Sequence, residues 1–234
     1  MPRVTILING VEVPADSGQP LLWAALDAGI HIPNLCAIRE VFPDGNCRLC
    51  FVEVGERSEP VLSCAVRPRD GMIVRTDSAA VRALQRTGFE LLMSAHADTC
   101  HACPALRTCE MIRIAKQEKW PLRTRRFPQR LTGVAADDRH PSLRIDPDRC
   151  VWCNRCVVEC RRVRPDDPLL EFAHRGPRTV LSTFHGEPLP ESCSRCGRCV
   201  DVCPAAGLSR RQGGRESVGR EAGDGAGGGE RKEG

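Results

Sequence analysis

The chain has 234 residues, 41% of them hydrophobic but only 4% aromatic, with no tyrosine and fifteen cysteines. So thin an apolar complement does not supply the usual large core, and inorganic cross-links are expected to replace part of it. The formal charge of +4 is no argument for nucleic acid, because metal-bound thiolates would reverse its sign.

The opening "MPRVTILINGVEV" has no charged segment followed by an apolar one, so a cleavable signal peptide is not expected. No apolar run reaches the length of a membrane span. A cytoplasmic, reducing setting is the expectation, and there a cysteine-dense chain points to metal and not to disulfides.

In chain order, "VTILINGVEV" reads as two alternating strands joined by Asn9-Gly10, a strong hairpin signal. "PLLWAALDAGIHIP" follows as a helix of about two turns, with Gly29 at its C-terminal stop and Pro33 beyond. "CFVEV", "PVLSCAV" and "MIVRT" read as short strands, so residues 1–77 are expected to form a small α+β domain of the β-grasp type. Residues 78–120 are expected to be helical, with Ser78 as N-cap and Val81, Leu84, Phe89, Leu92 and Met93 on one face. A second helix is expected from Pro104 to Lys119. Residues 121–142, punctuated by Pro121, Pro128, Gly133 and Pro141, read as a linker. Its "RTRRFPQR" (residues 123–130) is either a partner-docking segment or a solvated linker. Residues 143–211 carry a duplicated cysteine run, and between its halves "LLEFAHRGPRTVLSTF" is expected to be a hairpin turning at Arg175-Gly176-Pro177. Nine of the last 23 residues are Gly and almost none are apolar, so residues 212–234 are expected to be disordered.

The cysteines fall into three constellations. The most specific is the pair of runs Cys150-x2-Cys153-x2-Cys156-x3-Cys160 and Cys193-x2-Cys196-x2-Cys199-x3-Cys203-Pro204. Three thiolates at this spacing wrap one face of an iron–sulfur cubane, and in two-cluster ferredoxins the fourth cysteine ligates the other cluster. Cys150, Cys153, Cys156 and Cys203 are therefore expected to hold one [4Fe–4S] cluster, and Cys193, Cys196, Cys199 and Cys160 another. The first run departs from the pattern at Arg161, where Pro is usual. The second constellation, Cys36-x10-Cys47-x2-Cys50-x13-Cys64, suits a [2Fe–2S] cluster, with zinc as the alternative. Gly45 beside Cys47 would allow close backbone approach to the sulfides. The third, His96-x3-Cys100-x2-Cys103-x5-Cys109, supplies three thiolates and needs a fourth ligand for its [4Fe–4S] cluster. His101 and Asp98 compete with His96. His101 lies between two ligating cysteines, where a short loop should turn it away, whereas His96 ends a helix and can reach back over the loop. Its competing role is a helix-terminal histidine on the helix dipole.

These constellations, in this order, resemble the N-terminal electron-transfer module shared by three groups. They are the large iron–sulfur subunit of respiratory complex I, the iron-only hydrogenases, and the small diaphorase subunit of cytoplasmic NAD-reducing [NiFe] hydrogenases. The resemblance covers about residues 3–208. Eight ferredoxin cysteines with no large region after them point to the last group. The resemblance implies one [2Fe–2S] and three [4Fe–4S] clusters, with no flavin, NAD or nickel on this chain and no catalytic site of its own. It implies as partners a flavin/NAD-binding diaphorase large subunit and the small and large [NiFe] hydrogenase subunits; from charge and apolar patterning, no nucleic acid and no membrane span are expected. The equivalent subunit of an NAD-dependent formate dehydrogenase and a zinc-stabilised binding scaffold are the competing readings.

Overall fold

The computed structural model describes residues 2–39, 41, 43–55 and 59–211, so the expected disorder of residues 212–234 lies outside the described residues. Strands β1 (Arg3–Ile8) and β2 (Val11–Asp16) pair antiparallel with Ile8 opposite Val11. That register leaves a two-residue turn, and Asn9 (φ 50°) and Gly10 (φ 82°) both take the left-handed backbone it demands. Helix α1 (Leu21–Asp27) buries Leu21, Leu22, Ala24 and Ala25. Strands β3 (Phe51–Val54), β4 (Val61–Leu62) and β5 (Ile73–Arg75) complete a five-stranded mixed sheet of order β2-β1-β5-β3-β4, with β5 parallel to β1. Inward-facing Ile6, Ile8, Val13, Val52 and Val74 close on α1, forming one core with Cys50 and Cys64 at its edge.

Ser78 caps α2 (Ala79–Ser94) by accepting a hydrogen bond from the Val81 N–H at 3.2 Å. Val81, Phe89, Leu92 and Met93 are buried as their spacing predicts, but Leu84 is 38% exposed. It sits at the margin of the apolar stripe, and the buried face runs instead through Gln85 and Gly88. The Gln85 side chain is held there by donating to the Phe51 carbonyl at 2.9 Å. Gly88 is where α2 meets the cysteine loop: a Cβ at this position would lie 2.6 Å from the Arg48 carbonyl oxygen. Helix propensity favours alanine here by about 1 kcal/mol, yet backbone cannot give way as a side chain can. Gly88→Ala is therefore expected to destabilise the protein by about 1–3 kcal/mol, read as a lower urea midpoint. A midpoint at or above that of the unaltered protein would mean that α2 is not seated on the loop.

Helix α3 spans Glu110–Glu118, starting six residues later than the sequence predicts. Residues 104–108 instead make turns in which the Leu106 N–H bonds the Cys103 carbonyl and the Thr108 N–H bonds the Ala105 carbonyl. Cys109, in extended backbone, is the first residue before the helix, so α3 begins where the turns of the cysteine loop end.

Strand β6 (Leu143–Ile145) pairs with the distant β9 (Leu208–Arg210), and β7 (Leu170–Ala173) with β8 (Val180–Thr183). The expected hairpin is thus present, with a 3₁₀ turn at Gly176–Arg178. Helix α4 (Arg155–Val163) packs against α6 (Arg198–Asp201), which follows the one-turn α5 (Cys193–Cys196). A second core gathers Leu143, Ile145, Val157, Leu170, Leu181 and Leu208 around Cys150, Cys156 and Cys160. A third joins all parts of the chain, with Leu35 and Cys36, Phe89, Cys109 and Ile114, and Val151, Cys153 and Ala206 in one cluster.

Residues 121–142 lack regular structure but are not free. The Arg126 guanidinium reaches Glu90, which is 2% exposed, at 2.8 Å, and the Arg130 N–H bonds the Ser94 carbonyl at 2.6 Å. Thr132 donates twice to Asp148. The arginine-rich stretch is in part a strap along α2, a role its composition does not reveal. A buried carboxylate needs a cation, and Glu90 draws Arg126 as well as Arg86 (2.9 Å). Among the described residues no helix is long and apolar enough to cross a membrane.

Candidate metal centres

In the second constellation Cys36 sits beside Cys47, and Cys50 and Cys64 lie near each other. The Cys36 thiol lies 3.3 Å from the Cys47 sulfur and donates to it, and Cys50 and Cys64 shift each other's thiols in opposite directions, Cys50 up and Cys64 down. The Cys36 hydrogen bond, joined by backbone N–H groups of Leu49, Cys36 and Leu35, lowers the Cys47 thiol to about 6 against the opposing effect of burial. Cys64 is lowered chiefly by Cys50. In each pair one thiol, Cys47 or Cys64, is thus shifted toward the thiolate form. Two thiolates side by side, with a second such pair nearby, offer one pair to each iron of a binuclear centre. A mononuclear tetrahedral site needs all four on one point. Among the described residues no three His, Cys, Asp or Glu side chains converge on a single ion. Gly45 takes φ +67° in this loop, a turn conformation that favours glycine.

In the third constellation, Cys100, Cys103 and Cys109 lie close enough for the first two to push the Cys109 thiol up, after the larger effect of burial. His96 sits one residue past the C-cap of α2 and is 4% exposed. Its Nδ1 is buried with no hydrogen-bond partner, and burial, followed by the nearby Arg149 cation, lowers its pKa to about 4. It is therefore a neutral imidazole with an unused ring nitrogen, the form in which histidine binds metal. His101 is exposed at the surface of the loop, and Asp98 is paired with Arg123 at 2.7 Å. His140, buried as deeply as His96, is spent on structure: its Nδ1 accepts from the Ser142 and Leu143 N–H groups and its Nε2 faces the Pro190 carbonyl.

The duplicated runs line two separate cavities. One is bounded by Cys150, Cys153, Cys156 and Cys203 with Phe172 and Leu181. The other is bounded by Cys160, Cys193, Cys196 and Cys199 with Leu169 and Leu189. Each thus takes its last cysteine from the other run. The cause is local. The residue after the second cysteine of each run, Asn154 (φ 66°) and Gly197 (φ 57°), turns left-handed and starts a helix. Asn and Gly are the residues that tolerate this backbone, so a signal for the turn is present in the sequence. The helix then leads the run's last cysteine, Cys160 on α4 or Cys203 just after α6, across to the other cavity. Gly207 seals the first one, since a Cβ there would lie 2.9 Å from the Cys150 Cα. Burial raises Cys150 and Cys153 to about 12, so loading this site with metal must displace thiol protons. Cys150, Cys153 and Cys156 of the first cavity are buried and Cys203 is half-buried, whereas Cys196 of the second is exposed. The fit of soft donors, paired or in quartets around cavities, is that of iron–sulfur clusters.

Comparison with known proteins agrees with this donor chemistry. Residues 1–79 match the family described as "2Fe-2S iron-sulfur cluster binding domain" and residues 188–208 that described as "4Fe-4S binding domain". The chain is 33% identical over 214 residues to the NADP-reducing hydrogenase subunit HndD of Solidesulfovibrio fructosivorans, covering 89% of this chain and 36% of that protein. It is 31% identical over 217 residues to the alpha subunit of the NADPH-Fe(3+) oxidoreductase of Geobacter sulfurreducens, covering 88% of this chain and 24% of that one. It is also 31% identical over 209 residues to an NADH-quinone oxidoreductase subunit of Rhizobium meliloti, covering 89% and 24%. The chain therefore spans between a quarter and about a third of the length of these relatives. A chain in the crystal structure of an NAD+-reducing [NiFe]-hydrogenase in the H2-reduced state superposes with a TM-score of 0.78 at 27% identity. That match covers 92% of this chain and 90% of the other.

Proposed function

We propose that this chain, a relative of the iron–sulfur subunits of NAD(P)-linked hydrogenases and NADH-quinone oxidoreductases, relays single electrons between a [NiFe] hydrogenase module and a flavin- and NAD-binding diaphorase module. Hydrogen oxidation would thereby be coupled to NAD+ reduction. The observation that carries this reading is the near-complete mutual coverage with a chain of the NAD+-reducing [NiFe]-hydrogenase. The larger relatives share only part of their length with it.

In this reading residues 1–77 are a β-grasp domain holding a [2Fe–2S] cluster on Cys36, Cys47, Cys50 and Cys64. Its support is the sheet order with β5 set parallel to β1 and between β1 and β3. Residues 78–120 hold a [4Fe–4S] cluster on His96, Cys100, Cys103 and Cys109, residues 121–142 connect, and residues 143–211 hold two more in the crossed arrangement. Such clusters take up and give out one electron at a time. The residues of the chain bind them and keep water from between them: Leu35, Leu49, Phe89, Met111 and Val151 fill the core that Cys36, Cys109 and Cys153 share. Arg155 ties the same three regions together, donating to Glu110 at 2.8 Å and to the Leu35 carbonyl at 3.5 Å. The exposed Cys196 marks the site where a partner's redox centre would approach most closely.

The similarity to an NADH-quinone oxidoreductase subunit favours as second reading the same relay in a complex I-like enzyme, and a formate dehydrogenase would use it equally. Purification of the native assembly decides. About 14 irons with matching acid-labile sulfide per chain are expected, together with flavin and nickel. Molybdenum in place of nickel would move the relay to a formate dehydrogenase. Stoichiometric zinc without sulfide would end the iron–sulfur reading altogether.

A further inference from the structure

Arg149 closes the 3₁₀ turn Pro147–Arg149, directly before Cys150, yet its side chain is turned to the third constellation. Its Nη2 donates to Thr99, the residue before Cys100, at 2.9 Å, and its Nε pairs with Asp146 at 3.2 Å. A backbone bond from the Ala97 N–H to the Asp148 carbonyl at 2.7 Å clamps the same two segments. The guanidinium is therefore fixed against the loop that runs from His96 to Cys100, and the side chain is 13% exposed. Two of its nitrogens are satisfied. The third, Nη1, is buried and has no acceptor.

A buried donor without a partner costs about 1–3 kcal/mol, more when charged. A role confined to holding the loop would use Nε and Nη2 and leave that cost standing. The cleft that Arg149 borders with His101, Cys103 and Arg144 does not relieve it, because Nη1 itself is shut off from solvent. Another equally unsatisfied group is the Nδ1 of His96, on which Arg149 exerts the largest influence of any charged side chain. Two orphaned nitrogens flank the loop that carries Cys100 and Cys103, one suited to a metal atom and the other to an acceptor, as the rim of an anionic object would require.

We propose that Arg149 is a positioning residue for the cluster bound by His96, Cys100, Cys103 and Cys109: its Nη1–H is donated to a sulfur of that cluster, and its charge raises the cluster's reduction potential. The inference rests on the ligand assignment made above. A fixed cation stabilises the more negative, reduced state of a cluster, and hydrogen bonds to its sulfurs act in the same direction. Since a neutral imidazole has already replaced one thiolate, both effects would set this site apart from the three all-cysteine sites.

The test is a redox titration of the holo chain followed by EPR, with nitrogen hyperfine spectroscopy to mark the signal that carries histidine coupling. In Arg149→Gln that signal is expected to titrate at a lower potential, with a smaller drop in Arg149→Lys and the other three clusters unmoved. An unchanged midpoint in Arg149→Gln, or the same drop at all four clusters, would overturn the proposal. Where Arg149→Gln does not retain the cluster, Arg149→Lys decides alone, since an ammonium cannot place three donors as the guanidinium does. A lowered midpoint there supports the proposal and an unchanged one overturns it. Absence of histidine coupling in the unaltered protein would instead refute the ligation by His96, so the two failures are separable.

Discussion

His96→Ala is expected to lower the iron content from about 14 to about 10 per chain if the cubane is lost, or to about 13 if it survives as a three-iron form. His101→Ala should leave the content at about 14. The difference follows from where the two rings sit: His96 is buried with a free ring nitrogen, whereas His101 is exposed. His96→Cys sharpens the test by restoring a fourth ligand of the other kind. It should retain the cluster with one more negative charge and hence a lower potential. Iron and sulfide analysis with EPR reads all three variants. Four unchanged signals in His96→Ala would remove His96 from the ligand set.

Paired substitutions in the duplicated runs should reveal the crossing by iron count alone. Cys150→Ser combined with Cys203→Ser is expected to lose about four irons, because both residues face one cavity. Cys150→Ser combined with Cys160→Ser, although both lie in the same run, is expected to lose about eight, because Cys160 lines the other cavity. Had each run kept its own fourth cysteine, the two results would be exchanged. Serine is close to cysteine in size, so the backbone turns at Asn154 and Gly197 should persist, and the loss can be ascribed to the ligand.

Features set by neighbouring residues are legible without knowledge of the fold. The Asn9-Gly10 turn and the Ser78 cap are each decided within a few residues. So is the spacing of the four cysteine groups. The start of α3 is not legible in this way, because Pro104 is a good first helical residue in isolation, while the loop needs Cys103 and Cys109 to face one site. Leu84 departs from its expected burial for a similar reason. Helical periodicity names a stripe, but the partner surface, here the Phe51 carbonyl and the Cys47–Cys50 loop, selects which part of it is covered.

By itself the sequence determined the kind of donor, the number of donor groups and the local turns that present them, since these depend on residue identity, short spacing and backbone preference. The crossing of Cys203 to Cys150 and of Cys160 to Cys193 was itself expected from the duplicated spacing, and the two cavities have those linings. Only the tertiary structure decided the rest: it paired Cys36 with Cys47, buried His96 and drew Arg126 onto Glu90. These contacts, the crossing included, join residues from about ten to more than fifty positions apart. They are made by helices that must pack, by buried charges that must be paired, and by cores that close around them.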